Sequence, residues 1–376
     1  LLFFFILFIY AISSPGATPY DYFTRLSASM LEGRIYLAEN PPWLNELIPI
    51  NGKYFVAYPP MPAILAIPFV AIFKDFQQQI LAHVIGAAIA IVTYKTTLLI
   101  TKDFKKALWM SLLAAFGNVI WFLSSVGSSW YLGQLSAALF LSLAIWETFY
   151  KKRPILIGFL LGAAYLSRVH TILSILFFIF ILSKKPFMSK INFKKIFLLS
   201  LGLAPFLVFN ALYNLARFGV LWDKGYMLIP GVLEEPWYQL GLVHPSYVSR
   251  HLELIFKALP VFKNEFPYVF PSWGGLAIWI TTPAFFLLLK APLKSKTVRL
   301  SILASTLVAI PILMHGTTGF AQFGYRFLVD FIPFLFLILI FALPKKLTKT
   351  HWILLFLSIL VNAWGVVWIN KLGWVI

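Results

Sequence analysis

Asp21 stands two residues after Pro19, at the head of a run in which Tyr22, Phe23, Leu26 and Met30 recur at helical spacing. A carboxylate fixed at such a place can take the proton of a hydroxyl as that hydroxyl attacks. A plainer role also fits, because an acid in a first turn complements the helix dipole and pairs with Arg25 four residues on. Ser167-Arg168-Val169-His170 parts two apolar arms, 154–167 and 169–183, both flanked by basic residues. Arms of about 14 residues reach roughly 21 Å, short of the ~30 Å apolar core of a bilayer. The turn is therefore drawn to membrane depth, where cations are costly and usually functional. There the planar fork of Arg168 could grip a phosphate, while the alternative is an arginine that snorkels from a helix end.

Arg326 and Asp330, at i and i+4, fit an internal salt bridge that orients a helix, the reading favoured for Asp330. For Arg326, after Gln322-Phe323-Gly324-Tyr325, a substrate role is as well supported. Gln134 follows Gly133 and is suited to hydrogen bonding inside a cavity, whereas Gly133 itself eases helix packing. His244, Arg250 and His251 read as solvated loop residues. No P-loop, dinucleotide fingerprint, zinc-protease motif or nucleophile elbow is present. The histidines near external surfaces lack metal-ligand spacing, and no metal or other cofactor is expected.

The elements that hold these residues are membrane spans. The chain has 376 residues, 60% of them hydrophobic and only 12% charged, with a mean hydropathy of +0.85. Soluble domains carry about twice that share of charge. There is no cysteine, which excludes disulfides and thiolate metal sites. The net charge of +18 is not a nucleic-acid signature, because 18 of the 31 Lys and Arg, with one acid, fall in the short segments 101–106, 151–153, 184–195, 290–299 and 345–349. Basic clusters between apolar spans follow the positive-inside rule, so all five are expected on the cytoplasmic side.

Residues 1–12 read as a first helix lacking its N-terminal half, or else as a signal peptide without its basic start. Residues 13–78 then form an external loop with two interfacial helices, one from Tyr22 and one over 61–73, which Pro62 and Pro68 interrupt. Spans are expected at 79–100, 107–126, 130–150, the two arms above, 196–215, 271–290, 300–315, 327–343 and 351–369. A second external loop, 216–270, is too long for a mere connection. The fold expected is an all-α polytopic membrane protein, one integral domain over 1–376 with about eleven transmembrane helices.

An acid just after the first helix, an amphipathic run ending in Leu31-Glu32-Gly33, and Tyr58-Pro59-Pro60 opening a second juxtamembrane helix resemble the GT-C superfamily of membrane glycosyltransferases. The likeness covers about the first 200 residues and is similar to the branch of protein O-mannosyltransferases and lipid A aminoarabinose transferases. Gln322 to Pro333 resembles the distal arginine helix of related members. The resemblance implies transfer of a hexose from a polyprenyl phosphate or diphosphate to an acceptor hydroxyl, on the outer face of the plasma (inner) membrane, with inversion. It implies Asp21 as general base, and Arg168 and Arg326 as phosphate ligands. His170, Tyr325, Gln134, Tyr58 and Lys53 complete the substrate-binding set. Several members carry a second acid near the start of the 130–150 helix, where this chain has Gly133-Gln134. A metal-independent enzyme using a monophosphate donor fits that departure. Glycan, lipid and protein acceptors stay open. The alternatives are a transporter or flippase of a lipid-linked sugar, against which stands the lack of visible inverted repeats, and a non-catalytic assembly factor.

Overall fold

The structure, a computed structural model, describes residues 1–183 and 192–376, so much of the basic segment 184–195 lies outside it. The helices run in order α1 (Leu2–Ser13), α2 (Tyr22–Leu31), α3 (Met61–Ile72), α4 (Gln78–Thr101), α5 (Phe104–Phe116), α6 (Ile120–Val126), α7 (Ser129–Phe149), α8 (Pro154–Tyr165), α9 (Ile175–Leu182), α10 (Phe193–Phe218), α11 (Val248–Lys257), α12 (Ile278–Thr281), α13 (Lys296–Leu313), α14 (Ile332–Ala342) and α15 (Lys349–Val367). Among the described residues five helices are long and apolar enough to cross a membrane: α4, α7, α10, α13 and α15 with its extension to Leu372. Counting α5 and α6 as one bent span makes six, and five further apolar helices are shorter. The chain is an integral membrane protein of mostly helical build, and the finer count of eleven is not reached by helices of spanning length.

Local chemistry explains the breaks. Between α5 and α6 the axis bends by 52° at Asn118, whose side-chain amide donates to the carbonyls of Leu113 and Ala114 while its oxygen accepts from Ile120 N. Asp103 caps α5 by accepting from Lys105 N and Lys106 N. Helices α8 and α10 pack through glycine: a methyl on Gly158 would stand 1.9 Å from Leu199 O, and one on Gly202 would stand 2.0 Å from Ile155 O. The expected span at 271–290 is not a regular helix. Pro271, Gly274-Gly275 and Pro283 interrupt it, leaving the one-turn α12 and a 3-10 segment, Pro283–Lys290. The expected span at 327–343 also starts late. Residues Arg326–Asp330 form a 3-10 turn ahead of α14, which has Pro333 in its first turn.

In the first loop α2 and α3 both form, and Ser27 Oγ on α2 donates to Ala63 O on α3 at 2.6 Å. Between them lies a hairpin that the all-α expectation lacks. Strands β1 (Leu47–Ile50) and β2 (Lys53–Val56) pair antiparallel, with Ile50 opposite Lys53 and Leu47 opposite Val56. Asn51 and Gly52 turn it, both at positive φ, as a two-residue hairpin turn requires. A shorter pair, β3 (Val261–Phe262) and β4 (Val269–Phe270), sits in the second loop.

Candidate active site

A cavity of about 400 Å3 opens where the first loop, the start of α7, the turn after α8, the second loop and the end of α13 meet. Its walls include Tyr58, Trp130, Gly133, Arg168, His170, Asp223, Lys224, Tyr226, His315, Arg326 and Phe327. Four of the residues singled out from sequence thus share one cavity: Arg168, His170, Arg326 and Tyr58.

The turn after α8 supplies two of them. Arg168 donates to Asp330 Oδ2 through Nε at 3.2 Å and Nη2 at 3.1 Å, and His170 Nε2 lies 3.0 Å from the same oxygen. Asp330 is fully buried. The salt bridge expected between Arg326 and Asp330 is therefore replaced by a longer-range one. The cause is the 3-10 turn over Arg326–Asp330, which has three residues per turn and takes i and i+4 off a common face.

Arg326 is left in an unusual state. It is 8% exposed, and no carboxylate lies within 4 Å of it among the described residues. Its backbone is gripped from both sides, since Gln322 Oε1 accepts from its N at 3.0 Å and Gln134 Nε2 donates to its O at 3.1 Å. Gln134 Oε1 also accepts from its Nη1 at 3.3 Å. The guanidinium lies over Phe327 at 4.7 Å and Tyr131 at 5.8 Å, and among the described residues its Nε has no hydrogen-bond partner. The Arg168 guanidinium lies over the same Phe327 ring at 5.8 Å, so one phenyl stands beside both cations. The hydroxyl of Tyr58, another wall residue, is likewise buried without a hydrogen-bond partner among the described residues.

Gln134 and Tyr325 do not line the cavity. Gln134 is fully buried and acts on Arg326. The Tyr325 hydroxyl meets His251 Nδ1 at 2.8 Å, and His251 Nε2 lies 2.9 Å from His315 O. His251, read from sequence as solvated, is fully buried. Lys53 is exposed on β2, its ammonium 4.8 Å from the centre of the Tyr36 ring. Asp21 is not a wall residue either. It occupies the N-cap position of α2 without a side-chain capping bond, and its Oδ1 accepts from Arg25 Nε at 2.7 Å. Its neighbours Tyr20 and Tyr22 pack on the wall residue Trp130, with ring centres 4.6 and 6.5 Å away.

Glu46 was not singled out by sequence reading. Its Oε2 accepts from Trp130 Nε1 at 3.0 Å, and its N donates to the Tyr22 hydroxyl at 3.0 Å. Removal from water pushes its carboxyl up to about 7, against the Trp130 bond and the attraction of Arg326, with Glu235 adding to the rise. Lys224 was missed too, and no carboxylate lies within 4 Å of it among the described residues. Among those residues no group of three or more His, Asp or Glu side chains is placed to hold a metal ion.

No family model and no curated protein matches the chain. Among solved structures it is similar to the oligosaccharyltransferase of Archaeoglobus fulgidus in its apo form, at 13% identity and a TM-score of 0.41, over 97% of this chain and 56% of that one. The chain thus spans little more than half the length of that protein.

Proposed function

We propose that the chain is a membrane glycosyltransferase that moves a sugar from a polyprenyl-phosphate donor to an acceptor hydroxyl at the outer face of the plasma (inner) membrane. The observation that carries this reading is Arg326, a buried cavity-wall cation with no carboxylate within 4 Å among the described residues. A buried charge without a counter-ion is costly, and an anionic ligand relieves that cost. A phosphate suits the planar guanidinium, which offers paired donors to two oxygens. Arg168 adds a second positive centre across Phe327, with Asp330 holding it in place.

As the bond from sugar to phosphate breaks, its electron pair leaves with the phosphate. A fixed cation stabilises that growing charge. Asp21 is proposed to take the acceptor's proton. It must leave Arg25 to do so, and this is cheap: the two side chains are 26% and 37% exposed, and exposed ion pairs are worth about 0.2–1 kcal/mol. The five basic segments lie inside, and 13–78 and 216–270 outside, as parts of one integral domain. Tyr58 and His170 contact the substrate from the cavity wall, Lys53 reaches it from the hairpin, and Gln134 and Tyr325 set the arginine that does. Acceptors within reach are a glycan, a lipid or a protein.

The test is to incubate purified protein with polyprenyl-phosphate sugars labelled in the sugar and to measure release of polyprenyl phosphate. Release by the wild-type protein that is lost in Arg326→Ala supports the reading. Transfer of intact donor across a vesicle bilayer, without release, would instead make the chain a flippase.

A further inference from the structure

The second loop exposes large apolar side chains in one stretch. Helix α11 buries His251 and Ile255 against the protein, yet leaves Leu252 and Phe256 in the open, the latter 62% exposed. Arg250, Glu253 and Lys257 take the opposite flank, and Lys257 pairs with Glu253 at 3.7 Å. So α11 has three faces: one on the protein, one apolar and free, one charged. Beyond it the β3–β4 hairpin carries Phe262 and Phe266, 70% and 71% exposed. Such a run of free apolar surface marks an interaction face.

Contacts within the chain tie this surface to a candidate membrane span. The candidate span Lys349–Leu372 carries Trp368 near its end, and Trp374 follows it, their rings meeting at 5.4 Å. Phe266 packs on Trp374 at 5.4 Å. Trp273 N donates to Ile376 O at 2.7 Å, and Ile376 N donates to Pro271 O at 3.0 Å. Trp279 Nε1 donates to Phe256 O at 2.8 Å. The hairpin thus packs against the residues that follow a candidate span, next to the boundary where such a span would leave the apolar core, and α11 is bonded to Trp279 of α12. Tryptophan, tyrosine and lysine are the residues that settle at this boundary, and Tyr268, Trp273, Trp279 and Lys263 are all present here.

We propose that the apolar flank of α11 and the β3–β4 hairpin are immersed in the bilayer, at the boundary between headgroups and acyl chains. The partner is the lipid surface. The second loop is therefore a membrane-seated element and not a free external segment. The charged flank of α11 faces water, as in helices that lie in the interface. His251, on the third face, ties α11 to the backbone of the cavity-wall residue His315.

The absence of cysteine makes the test direct. Single variants Phe256→Cys, Phe262→Cys and Phe266→Cys, with Glu234→Cys as the reference, are labelled with the fluorophore NBD. They are reconstituted in vesicles of phosphatidylcholine and phosphatidylglycerol. All four positions are exposed, so the substitutions leave the core intact. Quenching by lipids carrying a nitroxide on the acyl chain should be severalfold stronger at 256, 262 and 266 than at 234, and quenching by aqueous iodide severalfold weaker. Equal quenching at all four sites would overturn the proposal. So would protection from both quenchers accompanied by disulfide dimers of Phe266→Cys, which would assign the surface to a second copy of the chain.

Discussion

Asp330 holds Arg168 through two hydrogen bonds to a single carboxylate oxygen, Oδ2, while its Oδ1 is buried without a hydrogen-bond partner among the described residues. Arg168 is thus a compensated charge and part of the scaffold. Removing one member of a buried ion pair costs about 3–5 kcal/mol, because the other is left uncompensated. Asp330→Asn and Arg168→Ala are each expected to destabilise the protein by about that much, read as a fall in the thermal unfolding midpoint in detergent. Arg168→Ala should consequently weaken folding as well as phosphate binding. A variant as stable as the wild type would mean that Asp330 is satisfied elsewhere.

Arg326 makes the opposite case. Among the described residues no carboxylate lies within 4 Å of it, so Arg326→Ala breaks no ion pair and is expected to lower the unfolding midpoint much less than Arg168→Ala. The same change should weaken binding of polyprenyl phosphate by roughly tenfold to a hundredfold, since hydrogen bonds to a charged group are worth about 1.5–3 kcal/mol and ~1.4 kcal/mol is a factor of ten. Arg326→Lys keeps the charge but loses the fork, and should fall between. Titration of the lipid phosphate against purified protein measures all three. Unchanged affinity in Arg326→Ala would remove the anion-site assignment.

Periodicity and charge made the helices legible, including α2 and α3 in the first loop, because both signals are local. The Asn51-Gly52 hairpin is legible in the sequence as well, because that dipeptide between apolar runs is a strong turn signal. What could not be read is set by distance along the chain. Asp330 finds Arg168 162 residues away, and Glu46 finds Trp130 84 residues away. A spacing rule for i and i+4 offered Asp330 a nearer partner, and the 3-10 turn before Pro333 withdrew it. Asp21 and Arg25 show the reverse. Their pairing was written in the local spacing and is present.

Glu46 should make donor binding depend on pH. Burial holds its carboxyl up at about 7, against the Trp130 hydrogen bond and the pull of Arg326. Above that pH Glu46 is ionised, competes for the field of Arg326 and repels an arriving phosphate. Below it Glu46 is neutral and the competition ends. Affinity for a polyprenyl phosphate methyl ester, which does not itself titrate near neutrality, should therefore rise severalfold as pH falls from 8 to 6. In Glu46→Gln the affinity should match the low-pH value throughout and lose its slope. A slope that survives in Glu46→Gln would assign the titration to another group.

The orientation is open to a direct check. All five basic segments are expected on one side, and 13–78 and 216–270 on the other. Lys102→Cys and Lys346→Cys in intact cells should resist an impermeant maleimide until the membrane is opened, whereas Glu39→Cys and Glu234→Cys should react at once. Labelling of the Lys346→Cys protein from outside would invert the topology and move the proposed site to the cytoplasmic face.

Asp21→Asn separates catalysis from structure. The Asp21 side chain makes no capping bond at the head of α2, and its one ion-pair partner is Arg25, on a partly exposed pair. Asparagine keeps the shape, caps a helix as well as aspartate, and forfeits an interaction of about 0.2–1 kcal/mol. The fold should therefore be retained, and so should binding of polyprenyl phosphate, whose cations lie in the cavity beyond Trp130. If Asp21 takes the acceptor proton, turnover should drop by roughly two to four orders of magnitude, the usual contribution of a general base. Asp21→Glu should be poor as well, because an added methylene moves the carboxylate by about 1 Å and such misplacement can cost a hundredfold. Arg25→Ala frees the carboxylate from its partner and should spare turnover, which a purely structural ion pair would not predict to differ from Asp21→Asn. Equal, small losses in Asp21→Asn and Arg25→Ala would reduce the pair to a helix contact and hand the proton to a different carboxylate, with Glu46 the next to test.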